Sequence, residues 1–385
     1  RSKNNHPPVQ LHTCISQSDM VFELRGGWGV KVNETIEAIK DQWKSMTSMA
    51  GMFVTTIFLG ISIQPVWNFS EARAFGEEGT TQTSYILLEL VLIGIFTFVI
   101  IWLARKNLKI LIWLFIMFSL YFSLIYTAYP YIALAMEIIN GTQENAFFIA
   151  LILDLLLMII LWRYPEWYIV NLVGILVGAG VITMIGISFV PTLIIMFMIL
   201  AAIYDHWAVN GSKHMLELAD TMIDLKLPIL LVAPKEKGYS FLDEKEGVME
   251  KTIQRPSQED WDDPKIGAIK VEKTGRDALF MGLGDVIFPG MLIISTITFL
   301  PQTGPVLGSL PLTSFFGWIH LDPLTVGLGT LLGGLMGYLG LMTQVAKGKP
   351  QAGLPLLNGG AILGYFITGL IVYGPSDLIQ QISLF

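Results

Sequence analysis

Nine stretches of this chain are apolar over about the length that a bilayer crossing requires, and they leave little else from which to build a fold. They lie at about Met46–Trp67, Tyr85–Ala104, Ile110–Ile139, Asn145–Trp162, Tyr168–Phe189, Pro191–Tyr204, Ala278–Leu300, Leu321–Val345 and Gly353–Tyr373. Only 14% of the 385 residues are charged, against about 25% in soluble domains. The expected fold class is an all-α polytopic, multi-pass integral membrane protein with nine transmembrane helices. The sixth stretch is short when counted to Tyr204, so its helix should continue through Asp205-His206-Trp207. The third is overlong and carries Pro130, which predicts a tilt, a kink or an interfacial end.

Basic residues near the ends of the stretches set the orientation. Lys31, Lys40 and Lys44 precede the first; Arg105, Lys106 and Lys109 follow the second; Arg163 follows the fourth; Lys347 and Lys349 follow the eighth. The intervening connections on the other side carry only Arg73. This alternation places the N-terminus in the cytoplasm and the C-terminus outside. The chain then divides into a polar N-terminal segment (1–45), helices one to six (46–205), a cytoplasmic loop (206–277) and helices seven to nine (278–385). Within the loop, Lys213 to Leu227 reads as an amphipathic helix, Phe241 to Asp263 as a charged mobile loop, and Lys265 to Val271 as a strand.

Several functions are excluded by composition. The net charge of -7 and the lack of a basic stretch argue against a nucleic-acid partner. The single cysteine, Cys14, permits no intramolecular disulfide and no cysteine-based metal site. The five histidines do not pair at ligand spacing on an apolar helix, so no zinc site is expected. No cofactor is implied.

What remains is a small set of ionisable residues inside apolar sequence, where charge is costly and therefore functional by default. Asp205 follows Ile194 to Tyr204, and Asp285 stands in Phe280-Met281-Gly282-Leu283-Gly284-Asp285-Val286. Counted along helices, Asp205 is roughly 21 Å past Pro191 and Asp285 roughly 10 Å past Ala278. In antiparallel neighbours crossing about 30 Å of hydrocarbon, both carboxylates then lie at one depth. Two carboxylates in a confined space share a proton, which suits them to acid–base hydrolysis. Gly282 and Gly284 weaken the helix and admit a second backbone. Asp154, mid-span in Leu151-Ile152-Leu153-Asp154, has no such partner and is expected to form a satisfied interhelical hydrogen bond. Gly329, Gly333 and Gly337, Gly174 and Gly178, and Gly360 and Gly364 read as seams for close helix packing.

Tyr204-Asp205 and Gly282-Leu283-Gly284-Asp285 on successive spans resemble the paired motifs of the presenilin and signal peptide peptidase family of intramembrane aspartyl proteases, with archaeal presenilin homologues the most similar branch. That family opens its ninth span with Pro-Ala-Leu. Here Pro355-Leu356-Leu357 stands at that place, keeping the proline and the final leucine. The resemblance implies hydrolysis of peptide bonds inside the bilayer, with Asp205 and Asp285 catalytic and Tyr204, Gly282, Leu283 and Gly284 completing the active-site motifs. It implies substrate contacts at Pro355, Leu356 and Leu357. An extended substrate is expected to add as a strand at Ile269 and Val271. Single-span membrane proteins or signal peptides are the implied substrates, and the cell membrane the implied location in an archaeal host. The competing reading is an ion-coupled transporter or channel using the same carboxylates, although spans one to five contain no second Gly-x-Gly-Asp segment.

Overall fold

In the computed structural model the described residues are 17–106, 108–207, 228, 230–235, 238–240, 278–307, 319–345 and 353–382. Among them the chain is mostly helical. The helices are α1 (Gln17–Trp67), α2 (Thr83–Arg105), α3 (Lys109–Ile138), α4 (Gln143–Arg163), α5 (Trp167–Gly186), α6 (Pro191–Trp207), α7 (Leu283–Phe299), α8 (Leu321–Val345) and α9 (Leu354–Val372). Seven contain segments long and apolar enough to cross a membrane, while α6 and α7 are shorter apolar helices. At 1.5 Å per residue their 17 residues cover roughly 25 Å.

Lipid explains the surface of this bundle. Phe98 on α2 is 70% exposed and Ile371 on α9 is 78% exposed; an apolar exterior of this kind would aggregate in water. The interior is equally apolar, so helices gain little from hydrophobic sorting and must instead approach closely. Helices α8 and α9 do so through glycine. A Cβ on Gly333 would lie 2.2 Å from the Gly360 carbonyl oxygen, and one on Gly364 would lie 2.4 Å from that of Gly329. The seam expected from the sequence is therefore a backbone-to-backbone contact.

Three local expectations meet the structure with different results. Helix α6 continues through Asp205-His206-Trp207, as its short count required. Helix α3 runs unbroken across Pro130, so no helix end falls there. The seventh apolar stretch does not start as a helix: Ala278–Gly282 is a strand, β2, and α7 begins only at Leu283. β2 pairs antiparallel with β1 (Leu230–Pro234), with Val232 opposite Phe280. An apolar run alone cannot distinguish a buried strand from a buried helix; the pairing with β1 decides it here. The amphipathic helix, charged loop and strand expected between Lys213 and Val271 lie outside the described residues.

A strand among helices needs partners for its outer edge. Asn171 of α5 supplies them, donating from Nδ2 to the Val232 carbonyl (2.7 Å) and accepting from the Val232 N–H (2.8 Å). Ser45 of α1 donates to the Pro234 carbonyl at 2.7 Å. Beyond Asn171 on the same face, Gly174 and Gly178 make room for Leu231 and Leu283. This second glycine seam thus receives the sheet and the start of α7.

Gly333→Ala is expected to lower stability by about 1–3 kcal/mol through overpacking against a backbone that cannot move aside. Unfolding midpoints in detergent check this, with Gly340→Ala as the neutral control because a Cβ there meets nothing within 4 Å.

Candidate active site

Both singled-out aspartates lie at helix ends. Asp205 is buried in the last turn of α6, and Asp285 is partly buried in the first turn of α7. The two converge on one peptide unit at the start of α9. The Leu354 N–H donates to Asp205 Oδ2 at 3.2 Å. A Cβ on the preceding Gly353 would lie 3.0 Å from Asp285 Oδ2 and 3.1 Å from its Oδ1. With standard backbone dimensions, this chain of contacts holds the carboxylates within about 10 Å of each other.

Physical reasons favour this meeting point. Leu354 is the first residue of α9, so its N–H has no acceptor within the helix and is free to bind a side-chain oxygen. Pro355, the next residue, has no N–H to satisfy and its fixed φ suits a helix start. The amino ends of α7 and α9 therefore both face the carboxylates, and their dipoles favour negative charge there. At Gly353 any side chain would press on Asp285, which makes glycine a steric requirement in this arrangement.

The other expected site residues are distributed less simply. A Cβ on Gly282 would be an ordinary 3.7 Å from Asp285 Oδ2, whereas one on Gly284 would meet nothing within 4 Å. Leu283 points away and packs on Gly178 of α5. Tyr204 is 43% exposed and its ring lies 6.2 Å from that of Trp207, a packing position on the outside of α6. Pro355 and Leu356 are half-buried and Leu357 is fully buried; the Leu356 carbonyl rests on Gly337 of α8. Ile269 and Val271 lie outside the described residues. Gly353 and Leu354, which border the carboxylates, are not among the residues given a site role from the sequence, although Pro350 and Pro355 with Gly353 between them predict a disturbed first turn with freed backbone groups there. The available signal was the helix start implied by Gly353 before Pro355.

Asp154 departs from expectation. It is buried on α4, yet its Oδ2 has no hydrogen-bond partner, so the satisfied interhelical bond is not formed. Among the described residues no three His, Cys, Asp or Glu side chains are grouped to hold a metal ion.

Residues 49–373 match the family described as signal-peptide peptidase, presenilin aspartyl protease. The chain belongs to that family. Two solved structures of presenilin family intramembrane aspartate proteases have the same fold. One, in a C222 crystal form, aligns with a TM-score of 0.50 and 22% identity, covering 85% of this chain and 98% of its own. The other, in a P2 form, aligns with a TM-score of 0.51 and 27% identity, covering 83% and 97%. No curated protein matches. The protein is accordingly an integral, multi-pass membrane protein of a protease family.

Replacing Asn171 with leucine should cost about 2 kcal/mol or more, because it strands a buried N–H and carbonyl of Val232. A lowered unfolding midpoint for Asn171→Leu checks this; an unchanged one would mean β1 does not depend on α5.

Proposed function

We propose that this protein hydrolyses peptide bonds within transmembrane helices of its substrates, using Asp205 and Asp285 as a water-activating pair. The observation that carries this reading is the convergence of both carboxylates on Gly353 and Leu354 in a member of an aspartyl protease family. Two neighbouring carboxylates hold one proton between them. The ionised one takes a proton from water as that water attacks the substrate carbonyl carbon. The protonated one donates to the carbonyl oxygen and, on collapse, the amine leaves with a proton. The pair titrates as a unit, so neither role belongs permanently to one residue.

Gly282-Leu283-Gly284-Asp285 would then be the Gly-x-Gly-Asp element, with Gly284 leaving space for a substrate backbone beside the acid. Nine crossings with a cytoplasmic N-terminus and an outside C-terminus remain the proposed topology, α6 and α7 being the short ones. Single-span proteins or signal peptides are the substrate class this chemistry suits, once a local stretch of their helix has unwound. Because Asn171 occupies the outer edge of β1, an unwound substrate adding as a strand would join on the β2 side, in line with the proposed role of Ile269 and Val271. Pro355, Leu356 and Leu357 would shape the adjoining wall. A transporter or channel would also use intramembrane carboxylates, but family membership favours proteolysis.

Asp205→Asn and Asp285→Asn are each expected to abolish cleavage of a single-span substrate in detergent or liposomes, with folding retained. The double variant should be no worse than either single one, since groups that act as a unit are non-additive. Asp154→Asn should keep substantial activity. Cleavage should decline at both acidic and alkaline pH, as one carboxylate must be charged and one protonated. Robust turnover by either dyad variant overturns the assignment.

A second test addresses the start of α9. Gly353→Val should reduce cleavage by at least about tenfold, by driving its side chain into the Asp285 carboxylate. Leu356→Ala, which leaves the Gly353 backbone beside Asp285 unchanged, should change rate or cleavage position only modestly. Equal activity of both variants would show that α9 does not border the reacting atoms.

A further inference from the structure

Asn358 lies on α9 one turn beyond Leu354, is 1% exposed, and has received no role so far. Its Nδ2 donates to the Met198 carbonyl of α6 at 3.0 Å. A carbonyl can only accept, so this contact fixes which side of the amide faces α6. The Oδ1 is thereby directed elsewhere, and it is buried without a hydrogen-bond partner. Such an arrangement is a poor stability device. One hydrogen bond is gained while one acceptor is desolvated without compensation, and an apolar residue of the same size would avoid that loss.

The bond joins two parts of the molecule that are otherwise held differently. Helix α9 is fastened to α8 by backbone contact at Gly333, Gly337, Gly360 and Gly364. Asp205 belongs to α6, on the other side of that seam. The Asn358 bond and the Leu354 bond to Asp205 both cross from α9 to α6, one turn apart on α9. They run in the order expected for antiparallel helices, the deeper residue of α9 meeting the deeper residue of α6.

We infer that Asn358 is a positioning residue, whose amide sets the register of α9 against α6 so that Gly353 and Leu354 reach the two aspartates. This rests on the dyad reading above. Its unpaired Oδ1 is the cost of placing a donor there. With the register lost, α9 stays packed on α8 while its first residues shift relative to Asp205. The chemical step should suffer much more than stability or substrate capture.

The test compares the parent protein with Asn358→Leu on one single-span substrate, measuring kcat, KM, cleavage position and unfolding midpoint. The expected result is a kcat lowered by about 10- to 100-fold, with KM within about twofold and the unfolding midpoint unchanged or raised. Asn358→Ser, small and polar, carries the same comparison if the leucine variant does not fold. Parent-like kcat and cleavage position in the variant overturn the positioning role alone. A loss of stability matching the loss of activity also overturns it, since that marks a merely structural bond. A parent that fails to cleave any single-span substrate overturns the dyad reading, and the positioning role with it.

Discussion

Two helices begin where two carboxylates meet, and the rest of the bundle is arranged around that fact. A charge inside an apolar bundle is tolerated only if donors or dipoles replace the water it has lost. Here the replacement is backbone. The Leu354 N–H, orphaned by its place at the start of α9, binds Asp205, and Asp285 rides in the first turn of α7. A helix amino terminus is a fixed, preoriented source of positive potential, needing no basic side chain to be carried into the bilayer. One negative charge shared by two acids is what such a pair of termini can support.

This arrangement demands breaks in helices, and breaks free backbone groups that lipid cannot satisfy. The sheet β1–β2 and the side chain of Asn171 resolve that difficulty for the segment entering α7. Strand β2 satisfies its inner edge on β1, and Val232 turns its own N–H and carbonyl to Asn171. The glycines of α5 then let Leu231 and Leu283 settle against the helix. On the other side, the glycine backbone contacts of the α8–α9 seam hold the start of α9. Polar side chains such as Asn171 and Ser45 thus serve backbone groups that would otherwise go unpaired, whereas Asp154 Oδ2 and Asn358 Oδ1 are themselves left without a partner.

The parts of this molecule that were legible in its sequence are those governed by the cost of transfer into lipid. Apolar length gave the helices, and the expense of an intramembrane carboxylate pointed to Asp205 and Asp285. Contacts that depend on tertiary register were not legible. Nothing local to Ala278–Leu300 announces that its first five residues pair with a strand more than forty residues earlier in the chain. Pro355-Leu356-Leu357 drew attention through resemblance, whereas the contacts belong to Gly353 and Leu354. The difference arises because a helix offers its free N–H groups at its first residues, and the proline follows the first of them. Asn358 stood in plain view as a polar residue in an apolar stretch, but its role depends on which carbonyl of α6 lies opposite.

The lengths of the helices complete the argument. The two that carry the aspartates are the shortest of those described, 17 residues each, and each aspartate is the third residue from a helix end. A dyad in the middle of long helices would need a water channel through most of the bilayer. A dyad at the ends of short helices would need a shorter path for water than one at their middles. A substrate helix, by contrast, presents its scissile bond only after losing its own turns. The strand before α7 and the bare Cα of Gly284 leave extended backbone and open space beside Asp285. On the proposed reading, water access and substrate unwinding would both be served from this side of the site, where α6 ends and the strand-to-helix break before α7 lies.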